Sequence, residues 1–126
     1  MTGITYDAGA LIAAERDDRL VWLLHRRALD RGMRPTVPAG VLGQAWRGGP
    51  QARLSRLLKG CHIEPLDERR ARIAGHTCGR AGTSDLIDAV VAAGAVARKD
   101  LVVTSDPEDL EHLATALGAS LEIVAV

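Results

Sequence analysis

Three aspartates stand where their side chains could hold a divalent cation. Asp7 directly follows the apolar stretch GITY, and Asp106 follows LVVTS. Asp88 lies within the segment SDLIDAVVAAGAVA, in which almost all of its neighbours are small or apolar. Such a carboxylate needs a partner, because burying it unpaired is costly. If the three carboxylates converge at one edge of a sheet, Mg²⁺ or Mn²⁺ is the simplest partner, since both ions prefer oxygen ligands.

Asp7 and Asp106 also have a purely structural interpretation, as helix N-caps. Each precedes a helical pattern, and an aspartate at that position accepts hydrogen bonds from the free N–H groups of the first turn. For Asp106 this interpretation is favoured by Pro107 at the first helical position and by Asp109, where a capping box places its acid. Capping and cation binding therefore both remain open for these residues.

Asp85 lies three residues before Asp88, on the same face of the predicted helix. Its structural interpretation is a favourable interaction with the helix dipole, after an N-cap at Thr83 or Ser84. Two acids at this spacing also repel each other, and a divalent cation would neutralise them. The pair therefore adds to the case for a cation site.

Strands alternate with helices along the whole chain. The runs LVVT and IVAV are continuously apolar, which is typical of parallel strands covered by helices on both faces. The sequence predicts a three-layer α/β fold with about five, mainly parallel strands, in a single domain spanning 1–126. The predicted strands are 3–6, 34–38, 61–66, 101–105 and 120–126, and the predicted helices are 10–15, 17–31, 39–49, 50–60, 67–79, 83–99 and 107–118.

Composition excludes several classes of protein. Apolar residues make up 47% of the chain and charged residues 25%, as in globular proteins, and no apolar run is long enough to span a membrane. The start of the chain does not resemble a signal peptide, so a cytoplasmic location is expected. The net charge of zero argues against strong nonspecific binding to nucleic acid. The scattered histidines and the two cysteines lack the spacing of a zinc site.

Four segments, in this order, resemble those of PIN-domain ribonucleases, in particular the VapC-type toxins of bacterial type II toxin–antitoxin systems: YDAGALIAAE, VPAGVLGQAWRGG, DAVVAAGAV and LVVTSDPEDL. The resemblance covers the whole chain and implies a PIN-like fold. It also implies that the catalytic acids and ligands of Mg²⁺ or Mn²⁺ are Asp7, Asp88 and Asp106. The auxiliary residues that it implies are Asp85, Asp109, Gln44 and Thr104.

Two positions depart from the family pattern. The family usually carries Glu in the segment VLGQAW, where this chain has Gln44. Glutamine keeps an oxygen of similar reach and loses the charge, so it weakens any cation binding at that position. Glu15, one or two helical turns after Asp7, is a candidate to compensate. The second departure is Gly9, where the family often has Ser or Thr.

The resemblance implies a metal-dependent endoribonuclease that cuts single-stranded or loop RNA and leaves a 5′-phosphate. It further implies inhibition by a small VapB-like antitoxin and a homodimer, with no membrane association. The amphipathic segment DDRLVWLLHRRAL, which carries Trp22, is a candidate surface for either protein partner, and ordinary core packing is the alternative. Arg47, Arg53 and Arg56 are candidates to guide the RNA backbone, with simple solvation as their alternative.

Three other functions compete with this hypothesis. A catalytically weakened PIN domain would act mainly by binding antitoxin or RNA, and Gln44 is the residue that suggests it. A receiver-like signalling module also gathers acids at strand ends, but TYDAG lacks its acidic pair, and Lys59 and Lys99 are not placed as its lysine. A structural α/β domain with capping aspartates explains Asp88 worst.

Overall fold

The computed structural model of the chain describes residues 3–126 and shows five parallel strands joined in one sheet. The strands are β1 (Ile4–Tyr6), β2 (Thr36–Pro38), β3 (His62–Glu64), β4 (Leu101–Thr104) and β5 (Glu122–Ala125). Their spatial order is β3-β2-β1-β4-β5, and every pair of neighbours is parallel. The predicted α/β class and strand number are confirmed, and the sheet is wholly rather than mainly parallel. Residues 1 and 2 of the predicted domain lie outside the described residues.

Seven helices connect these strands within residues 3–126. They are α1 (Ala8–Glu15), α2 (Arg19–Asp30), α3 (Ala39–Ala45), α4 (Ala52–Leu58), α5 (Glu68–Ala81), α6 (Leu86–Arg98) and α7 (Pro107–Ala116). All the predicted helices are confirmed. The predicted end of α3 at residue 49 was wrong. The helix ends at Ala45, because the backbone becomes extended at Trp46, before the paired glycines. Among the described helices, none combines the length and the hydropathy that crossing a bilayer requires.

Helices cover both faces of the sheet, as two neighbouring residues of β1 show. Successive side chains of a strand point to opposite faces. Tyr6 contacts His25 of α2, whereas Thr5 contacts Arg98 of α6. Both β1 and β4 are buried along their whole length, as central strands of a three-layer fold must be.

On the first face, the rings of Tyr6, His25 and Trp22 pack α2 against the centre of the sheet. The Tyr6 hydroxyl and His25 Nδ1 are hydrogen-bonded at 2.9 Å, and the Trp22 ring meets His25 edge-on at 5.7 Å between centroids. Burial lowers the pKa of His25, so its ring favours the neutral form. Trp22 Nε1 also donates to the carbonyl of Ala14 at 3.0 Å. Trp22 is therefore half-buried and packs against the core, while its contact with a protein partner stays a prediction.

On the second face, Arg98 joins β1, β3 and the residue before β4 through one partly buried network. Its guanidinium donates to Asp100 Oδ2 at 2.9 Å, to Glu64 Oε2 at 2.7 Å and to Thr5 Oγ1 at 2.9 Å. The Thr5 hydroxyl donates in turn to Asp100 Oδ2 at 2.8 Å. Asp100 is 6% exposed, so its charge depends on these partners. The network fixes the C-terminal end of α6 against the sheet.

We predict that Arg98→Ala lowers the free energy of unfolding by about 3 kcal/mol or more, because it leaves the buried Asp100 carboxylate without its cation. Urea denaturation measures the effect. Arg72→Ala is the matched control, since Arg72 pairs at 2.8 Å with Glu68 on an exposed face of α5. That substitution should cost less than about 1 kcal/mol. Equal losses in the two variants would contradict a structural role for the buried network.

Candidate metal centre

The ends of β1 and β4 bring Asp7 and Asp106 to the same edge of the sheet. The two strands are neighbours, with Tyr6 level with Val103. The Asp7 N–H continues the ladder by donating to the Val103 carbonyl at 3.2 Å. Parallel sheets bind ligands beyond the carboxyl ends of their strands, which is where both aspartates lie.

Thr104 connects these two aspartates directly. Its buried hydroxyl donates to Asp7 Oδ2 and accepts from the Asp106 backbone N–H at 2.8 Å. The other oxygen of Asp7, Oδ1, accepts from the Ala10 N–H at 3.1 Å, so Asp7 also caps α1. Each carboxylate oxygen of Asp7 thus has a fixed partner and keeps a second lone pair for a ligand.

Asp106 occupies the N-cap position of α7, but its side chain makes no capping hydrogen bond. The Asp106 backbone does begin α7, and only the alternative in which its side chain caps the helix was wrong. Pro107 at the first helical position still favours a helix start here, since its ring fixes a helical φ and it leaves one fewer free N–H in the first turn. The Asp106 carboxylate is exposed and open to a ligand.

Asp85 fixes the position of Asp88 at the start of α6. Asp85 is itself the N-cap, in place of the predicted Thr83 or Ser84, and its Oδ1 accepts from the Asp88 N–H at 3.0 Å. The residues from Ala89 to Ala95 are all buried, so the apolar helix inferred from the sequence packs inside the protein. Asp88, at the start of this run, is half-buried.

Three carboxylates meet at this edge of the sheet. Asp88, Asp106 and Asp109 each have an oxygen within 4.8 Å of the others'. We call these three residues the carboxylate cluster. Asp7 is not part of this group, but its charge helps to raise the pKa of Asp88, and the charge of Asp106 helps to raise the pKa of Asp7. The sequence ranked Asp109 as auxiliary. Its position three residues after Asp106, on the same side of a helix, was the signal that could have placed it in the cluster.

The electrostatics of the cluster favour a bound cation. Burial and the negative charge of Asp85 are the main causes that raise the pKa of Asp88 to about 7, with smaller effects from Asp7 and Asp106. Burial also raises the pKa of Asp7, against the lowering effect of the Thr104 hydroxyl. Within residues 3–126, no arginine forms an ion pair with any of these acids. Their like charges therefore lack an arginine partner.

These donors suit a hard divalent cation. All of them are carboxylate oxygens, the ligands that Mg²⁺ and Mn²⁺ prefer, and the distances allow a small ion to contact several at once. Among the described residues, no histidine or cysteine belongs to the cluster, so the donor set does not resemble a zinc site.

Gln44 and Glu15 lie together in a small groove lined by residues of α1, α3 and α4. Gln44 is exposed on α3, and the groove of about 230 Å³ is also lined by Ile12 and Arg47. Glu15 Oε2 accepts from the Leu54 N–H at 2.7 Å, which stabilises the start of α4. Glu15 thus has a structural role at α4, and its compensation for Gln44 stays a prediction.

The arginines proposed to guide RNA have protein partners of their own. The Arg56 guanidinium lies 4.7 Å from the centre of the Trp22 ring, and Arg53 pairs with Asp17 at 3.7 Å. Arg47 donates to the Trp46 carbonyl at 2.9 Å. Contact with RNA remains a prediction for all three arginines.

A second surface, distinct from the cluster, lies along α2. A groove of about 950 Å³ is lined by Trp22, Leu23, Leu29, Arg26 and Arg56, among others. Leu23 is 47% exposed and Leu29 is 42% exposed. We call it the α2 groove. Exposed leucines on a groove of this size are typical of a surface that binds another protein.

Solved structures share this fold across nearly the whole chain. A chain of VapBC2 from Rickettsia felis, bound to a DNA fragment from its promoter, matches with a TM-score of 0.70 and 12% identity, over 98% of both chains. A chain of DNA-bound VapBC from Salmonella typhimurium matches with a TM-score of 0.66 and 17% identity, over 99% of this chain and 98% of the other. A domain of a functionally unknown protein from Methanocaldococcus jannaschii matches with a TM-score of 0.54 and 18% identity, over 100% and 91%.

At these identities the likeness is one of fold, and it confirms the predicted PIN-like fold of the VapC type. No protein-family model matches the sequence, and a search of curated proteins finds no related sequence.

We predict that Thr104→Val lowers the free energy of unfolding by about 1–3 kcal/mol, because it removes the partner of the Asp7 carboxylate and of the Asp106 N–H without changing the side-chain shape. Urea denaturation in EDTA measures the loss without any contribution from bound metal. Thr104→Ser keeps the hydroxyl and should recover most of the stability. If valine and serine give the same stability, the hydroxyl does not hold the two strands together.

Proposed function

We propose that this chain is a metal-dependent endoribonuclease of the VapC type, inhibited by a small VapB-like antitoxin in the cytoplasm. The observation that supports it is the carboxylate cluster, with Asp7 beside it, at the carboxyl edge of a sheet with the VapC-type fold. The fold alone does not carry the proposal, because one fold hosts many functions. The proposal depends instead on the arrangement of four acids at the carboxyl edge of the sheet, where parallel sheets usually bind ligands.

Each residue of the site has a distinct role in this proposal. Asp7, Asp88 and Asp106 hold Mg²⁺ or Mn²⁺, and Asp109 joins them from the first turn of α7. Thr104 orients the Asp7 carboxylate. Asp85 holds the backbone of Asp88 and adds negative charge beside it.

The proposed reaction is hydrolysis of a phosphodiester bond in single-stranded or loop RNA. When bound, the metal lowers the pKa of a water ligand and offsets the charge that develops on the phosphate. The chain's own acids supply the negative charge that retains the cation and fix its position. Burial and its acidic neighbours raise the pKa of Asp88 to about 7, and a bound cation would offset those charges and keep the carboxylate ionised as a ligand.

We predict that the purified chain cuts a labelled, unstructured RNA in Mg²⁺ or Mn²⁺ and not in EDTA. Asp7→Asn/Asp88→Asn should lower the cleavage rate by at least about a hundredfold, because it removes two of the charges that retain the cation. The measurement is the rate of appearance of 5′-phosphorylated fragments on a denaturing gel.

Glu108→Gln is the matched control, because Glu108 lies in the first turn of α7 but outside the carboxylate cluster. Its rate should stay close to that of the unchanged chain. A chain that cuts no better than the double variant in either metal would overturn the nuclease and favour the alternative, a PIN domain weakened at Gln44 that acts by binding antitoxin or RNA. Gln44→Glu would then be expected to raise cleavage.

The α2 groove is the surface that we propose for the antitoxin. Its exposed leucines offer apolar contacts, and Arg26 and Arg56 offer donors to an acidic or polar rim. A homodimer is part of the same proposal, through apolar side chains such as Leu20, which is 41% exposed on α2 and does not line the groove.

We predict that Leu23→Ser weakens the affinity for the cognate antitoxin at least about tenfold, since a half-exposed anchor is removed from the α2 groove. Isothermal titration calorimetry measures the affinity, and thermal unfolding reports the stability. Leu66→Ser is the control, because Leu66 is 38% exposed at a site away from the groove. Trp22 is less suitable for this test because it packs on His25. Equal affinity of both leucine variants would place the antitoxin elsewhere.

A further inference from the structure

Ser105 packs against the first turn of α1, so closely that it leaves no room for a side chain at position 9. A Cβ built on Gly9 would lie 2.1 Å from Ser105 Oγ and 2.6 Å from Ser105 Cβ. Real Cβ atoms do not approach other atoms this closely. Gly9 is the second residue of α1 and has no left-handed backbone that would require glycine. Because glycine is unfavourable within a helix, the space taken by Ser105 is the structural reason for it here.

This position places the Ser105 side chain next to the candidate metal centre. Ser105 follows the end of β4, between Thr104 and Asp106. Its side chain packs on the first turn of α1, whose N–H groups hold the Asp7 carboxylate. Ser105 thus lies beside acids that come from two neighbouring strands. The sequence interpretation assigned it no role.

The Ser105 hydroxyl is also uncommitted. Its side chain is exposed, and among residues 3–126 its Oγ has no hydrogen-bond partner. The neighbouring Thr104 hydroxyl differs, because it already donates to Asp7 and accepts from Asp106. A hydroxyl that carries one free donor and lies beside a group of acceptors is suited to bind a ligand oxygen.

We propose that the Ser105 hydroxyl binds the substrate by donating a hydrogen bond to a non-bridging oxygen of the RNA phosphodiester. This inference rests on the proposed nuclease function. Ionised carboxylates only accept hydrogen bonds, so Asp7 and the carboxylate cluster offer phosphate oxygens no donor and repel their charge. A neutral side-chain donor that is already in place meets this need, and hydrogen bonds to charged oxygens are the stronger kind.

The first test is Ser105→Ala, with affinity for a fluorescently labelled, unstructured RNA measured by anisotropy in Mn²⁺, and with kcat and KM measured in parallel. The expected result is a tenfold to hundredfold loss of RNA affinity, or the same rise in KM, from one lost hydrogen bond to a charged group. Mn²⁺ affinity and thermal stability should stay unchanged, which a merely structural role of the serine would not allow. Wild-type RNA affinity and KM in Ser105→Ala would overturn the proposal.

The close approach of the two residues allows a second, sharper test. Ser105→Gly removes the hydroxyl, and Gly9→Ser alone forces two side chains into one space. The double variant Gly9→Ser/Ser105→Gly moves a hydroxyl from β4 to α1 within the same volume. We expect it to bind RNA better than either single variant, a departure from additivity of the kind found for residues in contact.

The matched control for this exchange is Gly9→Ala/Ser105→Gly, which fills the same volume without a hydroxyl. Recovery of RNA affinity with serine at position 9 and not with alanine supports the proposal. Equal recovery with both would show that the residues only pack together, and would overturn it.

The proposed nuclease function can be disproved independently of the role proposed for Ser105. It is tested by comparing the unchanged chain with Asp7→Asn/Asp88→Asn in cleavage, whereas the Ser105 variants are compared with the unchanged chain in RNA affinity. A chain that binds RNA through Ser105 but does not cut it would retain this inference and lose the catalytic one. A chain that does not bind RNA at all would overturn both.

Discussion

The Thr104 hydroxyl occupies the point where the two central strands end. It donates to Asp7, which follows β1, and accepts from Asp106, which follows β4. One small polar group therefore sets the spacing of two acids from different strands. The rest of the site is arranged around this pair, because α1 begins at Asp7 and α7 begins after Asp106. A hydroxyl with only one donor cannot donate to another ligand while it makes these contacts.

The third acid, Asp88, lies in a helix rather than at the end of a strand. Its position depends on α6, which is fixed at both ends. At its start, Asp85 accepts the Asp88 N–H, and at its end Arg98 ties the helix to Asp100, Glu64 and Thr5. The two ends differ in electrostatic character. The Arg98 end pairs opposite charges under cover of the protein, whereas the Asp88 end gathers like charges. Stabilising interactions are concentrated at one end of the helix and the reactive acids at the other.

Much of this architecture could be predicted from the sequence. The alternation of apolar runs with amphipathic segments predicted all the strands and helices, because burial on one or two faces dictates each pattern. Asp7 and Asp106 could be placed at one edge, since both follow strands. The α3 end was missed because the backbone becomes extended at Trp46, before the paired glycines Gly48 and Gly49, and the backbone conformation of one residue leaves no pattern in the sequence.

Side-chain hydrogen bonds were the part that the sequence could not decide. Asp85, Thr83 and Ser84 are all good N-caps, and only the packing of α6 selects Asp85. Glu15 looked available to the site, yet it is used by the Leu54 N–H, which is distant in sequence. The contact between Gly9 and Ser105 likewise depends on how closely α1 approaches the end of β4, a distance that residue types alone do not specify.

The repulsion among the acids links the lifetime of the folded chain to its ionic surroundings. A cation that binds the folded chain and not the unfolded one stabilises it by mass action, and so more strongly as its free concentration rises. With the acids this close together, chelation withdraws that support and restores the repulsion. If the cluster holds a cation as we propose, the supply of divalent cations governs how often the chain opens, and with it the exposure of the chain to proteases.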